Sequence, residues 1–102
     1  MVEFVEVFKT EEVSPGVLKT AVVQDRKIAV TKFLGNYYAF DDECTHAHCA
    51  LSEGFLEGLS IECPCHGARF NIAVGSVEAL PATEPIRIYP VKVEGDTIFV
   101  GI

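Results

Sequence analysis

Short apolar runs separated by turn-forming residues make up most of this chain, a pattern typical of β-strands joined by tight turns. Residues 27–33 are rich in aliphatic and β-branched side chains, residues 37–40 are aromatic and apolar, and Gly-Asn lies between them at 35–36. This order predicts a β-hairpin, because glycine and asparagine tolerate the positive φ of a two-residue turn. Ser-Pro-Gly at 14–16 predicts another turn near the N-terminus.

The C-terminal residues repeat this arrangement. Apolar residues alternate over 97–102 as in a half-buried strand, and a Glu-Gly-Asp turn at 94–96 separates them from the apolar run at 86–93. The alternation in that run changes phase at Pro90. Because proline cannot donate a ladder hydrogen bond, we expect a β-bulge or an edge position there.

The middle of the chain differs from its ends. No run of helical periodicity exceeds about two turns, so the ends predict an all-β scaffold. Residues 41–85 contain all four cysteines, all three histidines and three of the five prolines. Functional residues often lie on such loops, held by a rigid sheet.

The length of 102 residues suits one domain, which we expect to span 1–102.

The net charge of −7 argues against nucleic acid as a partner, because a nucleic-acid binder needs a basic surface. The acidic N-terminus does not resemble a secretory signal, and no stretch approaches the roughly 20 apolar residues of a membrane helix. We therefore expect a cytoplasmic protein with no membrane partner. We also expect a monomer. Cysteines in that compartment more often bind metals or take part in catalysis than form a disulfide framework.

Two clusters in the middle region combine thiols with imidazoles, CTHAHC at 44–49 and CPCH at 63–66. A metal site could take one thiol and one imidazole from each cluster. The candidate ligands are Cys44, His46, Cys63 and His66.

Two metal centres use two cysteines and two histidines. A zinc finger usually places both cysteines first and both histidines later on a helix, and that order is absent here. Mixed Cys/His pairs instead suit a 2Fe-2S cluster in which one iron takes two thiolates and the other takes two imidazoles, the Rieske centre. Replacing two anionic thiolates by neutral imidazoles makes such a cluster easier to reduce.

The paired motif CTH and CPCHG, with the flanks LSEG, HGARF and IYPVKVEGDTIFV, resembles Rieske iron–sulfur proteins, and among them the small ferredoxins of bacterial ring-hydroxylating dioxygenase systems. The resemblance implies an all-β Rieske fold of stacked antiparallel sheets with a loop-rich cluster-binding subdomain at about 41–85. It implies one Rieske-type 2Fe-2S cluster and a third, proline-bearing loop over it at 79–82. Its implied ligands are Cys44, His46, Cys63 and His66.

The resemblance also implies a function. In such systems a flavin-containing reductase passes electrons from NAD(P)H to the ferredoxin, which passes them singly to a terminal oxygenase. The chain would then be an electron carrier and not an enzyme by itself. Two alternatives are the small Rieske subunit of an assimilatory nitrite reductase and a zinc-stabilised structural module.

Two cysteines are left over, Cys49 and Cys65. Rieske proteins of respiratory and photosynthetic complexes carry cysteines at these relative positions, joined as a disulfide, whereas dioxygenase ferredoxins mostly lack them. A disulfide is therefore one interpretation, and a pair of small buried hydrophobic side chains is the other. High-potential members also carry hydroxyl side chains where this chain has Ala68 and Phe70, so we expect a low reduction potential.

The remaining candidates are one histidine and a group of acidic residues. We expect His48 to lie near the cluster without binding it. The acidic residues are either a solvated face or a docking surface for basic patches on the redox partners, where charge mainly speeds encounter. This group consists of Asp41, Asp42, Glu43, Glu53 and Glu57.

Overall fold

The computed structural model describes residues 2–45, 49–65, 67–80 and 82–102. Their secondary structure consists of antiparallel β-strands and two single-turn 3-10 helices, so the all-β prediction is confirmed. No helix in this described part of the chain is long and apolar enough to cross a membrane.

The strands form three antiparallel sheets, which we call the terminal sheet (β1-β11-β10), the central sheet (β2-β3-β4-β9) and the small sheet (β5-β6-β7-β8). The strand bounds, in the order β1 to β11, are Phe4–Lys9, Lys19–Val23, Arg26–Phe33, Asn36–Asp41, Phe55–Glu57, Ser60–Glu62, Arg69–Asn71, Val77–Ala79, Ile88–Tyr89, Val91–Glu94 and Thr97–Gly101. The 3-10 helices are Thr10–Glu12 and Leu51–Glu53.

The central sheet is buried on both faces. Ile28 and Val30 of β3 pack into a core shared with the terminal sheet, whereas Ala29 between them packs into a second core shared with the small sheet. A strand buried on both faces needs apolar residues at consecutive positions. This requirement explains why residues 27–33 read as a nearly continuous apolar run.

The second core carries the candidate ligands that the structure describes. Cys44 and Cys63 are part of it, together with Phe40 of the central sheet and Phe70 of the small sheet. The small sheet lies wholly within the region 41–85 that the sequence singled out. The central sheet thus packs against the core that contains the candidate thiol ligands.

The predicted turns are present, with one shift. Strands β3 and β4 form the expected hairpin, but the turn residues with positive φ are Leu34 (49°) and Gly35 (83°), and Asn36 already pairs with Phe33. The predicted Gly35-Asn36 turn is therefore wrong by one residue. Near the N-terminus the amide of Val17 donates to the carbonyl of Ser14 at 3.1 Å, which confirms that turn.

Pro90 lies where the chain changes sheets. Strand β9 before it pairs with β4 at the edge of the central sheet, and β10 after it pairs with β11 at the edge of the terminal sheet. The edge position is confirmed. The alternation changes phase because Ile86 and Ile88 pack in the core shared with the small sheet, whereas Val91 packs in the core shared with the terminal sheet.

Six strands had no counterpart in the sequence prediction. Strands β1 and β2 are edge strands in which apolar residues such as Phe4 and Val22 are exposed, so apolar character does not mark one buried face. Strand β1 also has a register shift between Glu6 and Phe8. The four strands of the small sheet have three residues each, too few to show a period of two.

Candidate metal centre

The two candidate thiol ligands lie at the ends of strands from different sheets. Cys44 follows the end of β4 by three residues, and Cys63 directly follows β6. Both side chains are buried, at 0% and 1% exposure, in the same apolar core. Burial in one core brings together two thiols that are 19 positions apart in the sequence.

Backbone hydrogen bonds fold each ligand loop back on itself. The amide of Cys44 donates to the carbonyl of Cys49 at 2.9 Å, and the amide of Cys63 donates to the carbonyl of Ala68 at 2.7 Å. Gly67 has a φ of 77°, in the left-handed region that favours glycine. Its amide donates to the carbonyl of Cys63 at 3.2 Å. The turn that follows Cys63 therefore depends on a glycine at 67.

The other two cysteines connect the ligand loops. Cys49 and Cys65 form a disulfide, with Cα atoms 6.4 Å apart, inside the usual range of about 4.4–6.8 Å. Their sulfurs and that of Cys63 all lie within 4.8 Å of one another. Because the thiolate is the form that binds metals, a bridged pair leaves Cys63 as the candidate ligand in this group.

Gly54 lets the end of the first ligand loop approach the start of the second. A Cβ at this position would overlap the carbonyl oxygen of Glu62 and lie 3.1 Å from Cδ of Pro64. These two residues flank Cys63. The sequence showed Gly54 only as part of LSEG, and its role follows from this close approach of two backbones.

Ala68 and Phe70 are both fully buried in the core that contains Cys44 and Cys63. Neither side chain carries a hydroxyl group. The core around the two thiols thus gains no hydroxyl donor from these two positions, as the sequence indicated.

The acidic residues expected to form one solvated or docking face divide into two groups, so that prediction needs correction. Asp42 is buried, and its carboxylate accepts hydrogen bonds from the amide and the hydroxyl of Ser52, at 2.6 and 2.8 Å. Asp41 is half-buried and accepts a hydrogen bond from the hydroxyl of Tyr89. Both carboxylates therefore have structural partners.

The other acidic residues, Glu43, Glu53 and Glu57, are exposed. Of the five acidic residues, these three are therefore accessible from solvent. The sequence could not separate the two groups, because even neighbours such as Asp42 and Glu43 lie in different environments.

The third loop lies beside the first. The hydroxyl of Thr45 donates to the carbonyl of Glu84 at 2.8 Å, which links the residue after Cys44 to the segment after β8. Within the predicted loop at 79–82, Leu80 is exposed and Ala82 is buried. Pro81 lies outside the described residues. Sequence reasoning missed the role of Thr45, because a threonine between two candidate ligands carries no signal for a contact 39 positions away.

All three histidines, His46, His48 and His66, lie outside the described residues. The predicted imidazole ligands and the predicted non-ligand His48 therefore stay predictions. The described donor set consists of two buried thiols in one apolar core, on loops linked to each other. Thiolates in a water-excluding environment are the protein ligands of iron–sulfur clusters, so these residues fit a 2Fe-2S cluster.

Comparison with known proteins gives the same assignment. The family model for the Rieske [2Fe-2S] domain matches residues 3–90. The chain is 37% identical over 91 residues to the ferredoxin component of a naphthalene 1,2-dioxygenase system from Pseudomonas aeruginosa, covering 89% of this chain and 88% of that protein.

Two solved structures are similar over nearly the whole chain. The ferredoxin of carbazole 1,9a-dioxygenase from Nocardioides aromaticivorans has a TM-score of 0.91 at 34% identity, covering 95% of each chain. A complex of reduced oxygenase and oxidized ferredoxin in carbazole 1,9a-dioxygenase matches with a TM-score of 0.89 at 34% identity, covering 95% of this chain and 91% of that chain.

This chain belongs to the Rieske [2Fe-2S] domain family, and its cofactor is a Rieske-type 2Fe-2S cluster. Its fold is that of Rieske ferredoxins, as expected from the sequence. Its relatives are ferredoxin components, that is, electron carriers and not catalysts. The iron–sulfur interpretation is thus confirmed over the zinc module.

Proposed function

We propose that this chain is the ferredoxin component of an aromatic ring-hydroxylating dioxygenase system and delivers single electrons to its terminal oxygenase. The observation that carries the proposal is the burial of Cys44 and Cys63 in one core of a Rieske-family chain. The similarity to a ferredoxin solved in complex with its oxygenase supports the choice of partner.

The proposed ligands are Cys44 and Cys63 for one iron and His46 and His66 for the other. When bound, the cluster accepts and releases one electron. Phe70, Ala68 and Leu51 exclude water around the two thiols, because all three are fully buried in the same core. Backbone hydrogen bonds within each loop fix the direction of each cysteine.

The proposal includes an electron donor and a location. The donor is a flavin-containing reductase that oxidises NAD(P)H, and the location is the cytoplasm, where NAD(P)H is produced. Residues 1–102 act as one domain and residues 41–85 as its cluster-binding subdomain. The exposed side chains of Glu43, Glu53 and Glu57 support docking to a partner with a basic surface.

The absorption spectrum of the purified protein, with its iron and acid-labile sulfide content, tests the proposal. About two irons and two sulfides per chain are expected, since that is the composition of a Rieske centre. His66→Ala should abolish the spectrum. His48→Ala is the matched control and should retain it, because His48 is not a proposed ligand. One zinc per chain and no sulfide would refute the proposal.

A separate measurement tests the bridge between Cys49 and Cys65. We propose that it is present in the cluster-loaded protein, where it ties the two ligand loops together. Unfolding and alkylation without reductant, followed by peptide mass spectrometry, should show a linked peptide pair and two alkylated cysteines. Alkylation of all four cysteines without reductant would exclude the bridge but leave the proposed ligands untouched.

A further inference from the structure

Asp42 is a charged side chain buried in the protein, with 3% of its surface exposed. Its Oδ1 accepts a hydrogen bond from the amide of Ser52 at 2.6 Å, and its Oδ2 accepts one from the Ser52 hydroxyl at 2.8 Å. The Nζ atom of Lys27 lies 3.3 Å from Oδ2. A buried carboxylate is costly unless it is paired in this way, so these contacts hold Asp42 in one place.

The contacts join the two ends of the first ligand loop. On one side, the amide of Asp42 donates to the carbonyl of Lys27 at 2.9 Å, which continues the pairing of β3 with β4. On the other side, Ser52 lies in the 3-10 helix Leu51–Glu53, anchored by the fully buried Leu51. The Asp42 side chain therefore closes the segment 43–51 at its base.

Cys44 lies inside this closed segment, two positions after Asp42. The hydrogen bond from its amide to the Cys49 carbonyl connects two residues inside the segment, so it does not attach the segment to the scaffold. The Asp42–Ser52 contacts attach the segment to the scaffold. Asp42 is hydrogen-bonded to β3, and its side chain connects Ser52, which is not paired with β3, to that strand. Closing a loop at its base removes conformations that the loop would otherwise sample.

We propose that Asp42, through Ser52, is a positioning residue for the cluster: it holds the loop that presents Cys44 and thereby retards loss of the cluster. The inference rests on the proposed function, since it takes Cys44 as a ligand. Lys27 offsets the charge of Asp42, so the contribution of Asp42 lies mainly in the geometry of the loop and not in its net charge.

The experiment compares four single variants of the cluster-loaded protein. Asp42→Ala removes both contacts to Ser52, Ser52→Ala removes only the hydroxyl contact, and Asp42→Asn keeps an oxygen acceptor but removes the charge. Asp41→Asn is the matched control, because it removes the neighbouring charge while its amide oxygen can still accept from Tyr89. The half-time of cluster loss in the presence of an iron chelator is measured from the visible absorption.

Asp42→Ala should shorten this half-time at least about tenfold, as expected from hydrogen bonds to a charged group. Ser52→Ala should shorten it less, Asp42→Asn should recover part of the loss, and Asp41→Asn should stay near the wild-type value. The electron paramagnetic resonance spectrum of the reduced protein should broaden or shift in Asp42→Ala and Ser52→Ala. A general loss of stability would not alter that spectrum.

Hydrogen exchange of the purified proteins provides a readout that does not depend on the cluster signal. Exchange of segment 43–52 should speed up in Ser52→Ala, while β11 keeps its wild-type protection. If Asp42→Ala fails to fold, hydrogen exchange of Ser52→Ala still tests whether the Asp42–Ser52 contacts hold the loop. Wild-type exchange in that segment, or a control that loses cluster as fast as Asp42→Ala, would overturn the positioning role. Wild-type protein without iron and sulfide would instead refute the proposed function.

Discussion

The scaffold, formed by the terminal and central sheets, and the proposed cluster-binding region at 41–85 use their residues in different ways. In the scaffold, Ile28, Val30, Ile98 and Val100 share one task, which is to fill the core between two sheets. Any apolar side chain of similar volume would serve there at a modest cost in stability. In the cluster-binding region, single residues have separate tasks that no similar side chain can take over.

Gly54 illustrates the second kind of residue. It has no side chain because two backbones meet at this position, and a methyl group would overlap the Glu62 carbonyl oxygen. A scaffold glycine such as Gly95 is present for another reason, a φ of 62° in the turn between β10 and β11, with open space around it. The two glycines therefore allow the regions to be compared with one type of substitution.

The largest expected effect concerns this pair. Gly54→Ala should push the ligand loops apart, lower the unfolding free energy by about 1–3 kcal/mol and cause loss of the cluster. Gly95→Ala should cost a similar amount, about 1–2 kcal/mol, because alanine is strained at that φ, yet it should retain the cluster. Iron and sulfide content and denaturant unfolding measure both effects. Equal cluster content in the two variants would remove the proposed distinction between the regions.

The same contrast explains what could be predicted from the sequence. The hairpin β3–β4 and the strand β11 were evident, because alternation or continuous apolar character over five or more residues reports burial directly. The ligand motif was evident because its residue types and spacing are specific to one kind of centre. The short strands β5 to β8 were not, since three residues define no period.

Contacts between distant residues were also beyond the sequence. Asp42 could be recognised as acidic, but its burial depends on Ser52 and Lys27, which only the folded chain brings together. Consequently the sequence grouped Asp42 with exposed residues such as Glu43. A motif can thus propose candidate ligands, whereas the contacts of the residues around them require the structure.

The second prediction concerns the reduction potential. Ala68 and Phe70 provide no hydroxyl beside the buried thiols, and Rieske potentials span about −150 to +300 mV, so we expect a value below about 0 mV. Ala68→Ser together with Phe70→Tyr should raise it by about 100–200 mV. That range follows because hydrogen bonds to the cluster favour its reduced, more negative state, and 59 mV corresponds to a tenfold change.

Voltammetry measures this change, and the scaffold supplies the control. Ala21→Ser with Phe99→Tyr makes the same two side-chain changes in the central and terminal sheets and should leave the potential near its wild-type value. A wild-type potential above about +150 mV would contradict the hydroxyl argument. A shift of equal size in both double variants would show that the position of the hydroxyls does not matter.

The third prediction compares exposed charges in the two regions. Replacing Glu53 and Glu57 with Gln should slow electron transfer from the reductase about two- to fivefold at low salt, because charges at the edge of an interface mainly speed encounter. The difference should vanish at high salt, since the screening length is about 8–10 Å near 0.1–0.15 M and shorter above that. Stopped-flow reduction over a salt series measures the rate at low salt and its dependence on salt.

The matched control is Glu94→Gln with Asp96→Asn, which removes two exposed charges, one at the end of β10 and one in the turn before β11. This variant should transfer electrons at the wild-type rate if docking takes place at the cluster-binding region. A wild-type rate that does not depend on salt would show that the acidic residues are only solvated. Slowing by the control alone would place the docking surface on the scaffold.

The smallest effect belongs to Tyr89, a buried tyrosine in the scaffold core. Its hydroxyl donates to Asp41 and accepts a hydrogen bond from Nη1 of Arg26 at 3.3 Å. Burial first, and then the bond to Asp41, raise the pKa of Tyr89 above its ordinary value of 10.0. The folded chain therefore holds the phenol proton more tightly than the unfolded chain does.

A raised pKa fixes the direction of the pH dependence. The stabilisation is fully present below pH 10.0, the ordinary pKa, and is lost as the pH rises through the higher pKa of the folded chain. Tyr89→Phe should cost about 1 kcal/mol at neutral pH, because the hydrogen bonds to Asp41 and from Arg26 are both lost. It should also make the alkaline fall in stability shallower than in the wild type, as measured by urea unfolding at a series of pH values.

The cluster content should not change, because Tyr89 packs in the core away from Cys44 and Cys63. Parallel pH curves for variant and wild type would rule out this role of Tyr89, and loss of cluster in the variant would show that the two regions are coupled more strongly than their separate cores indicate.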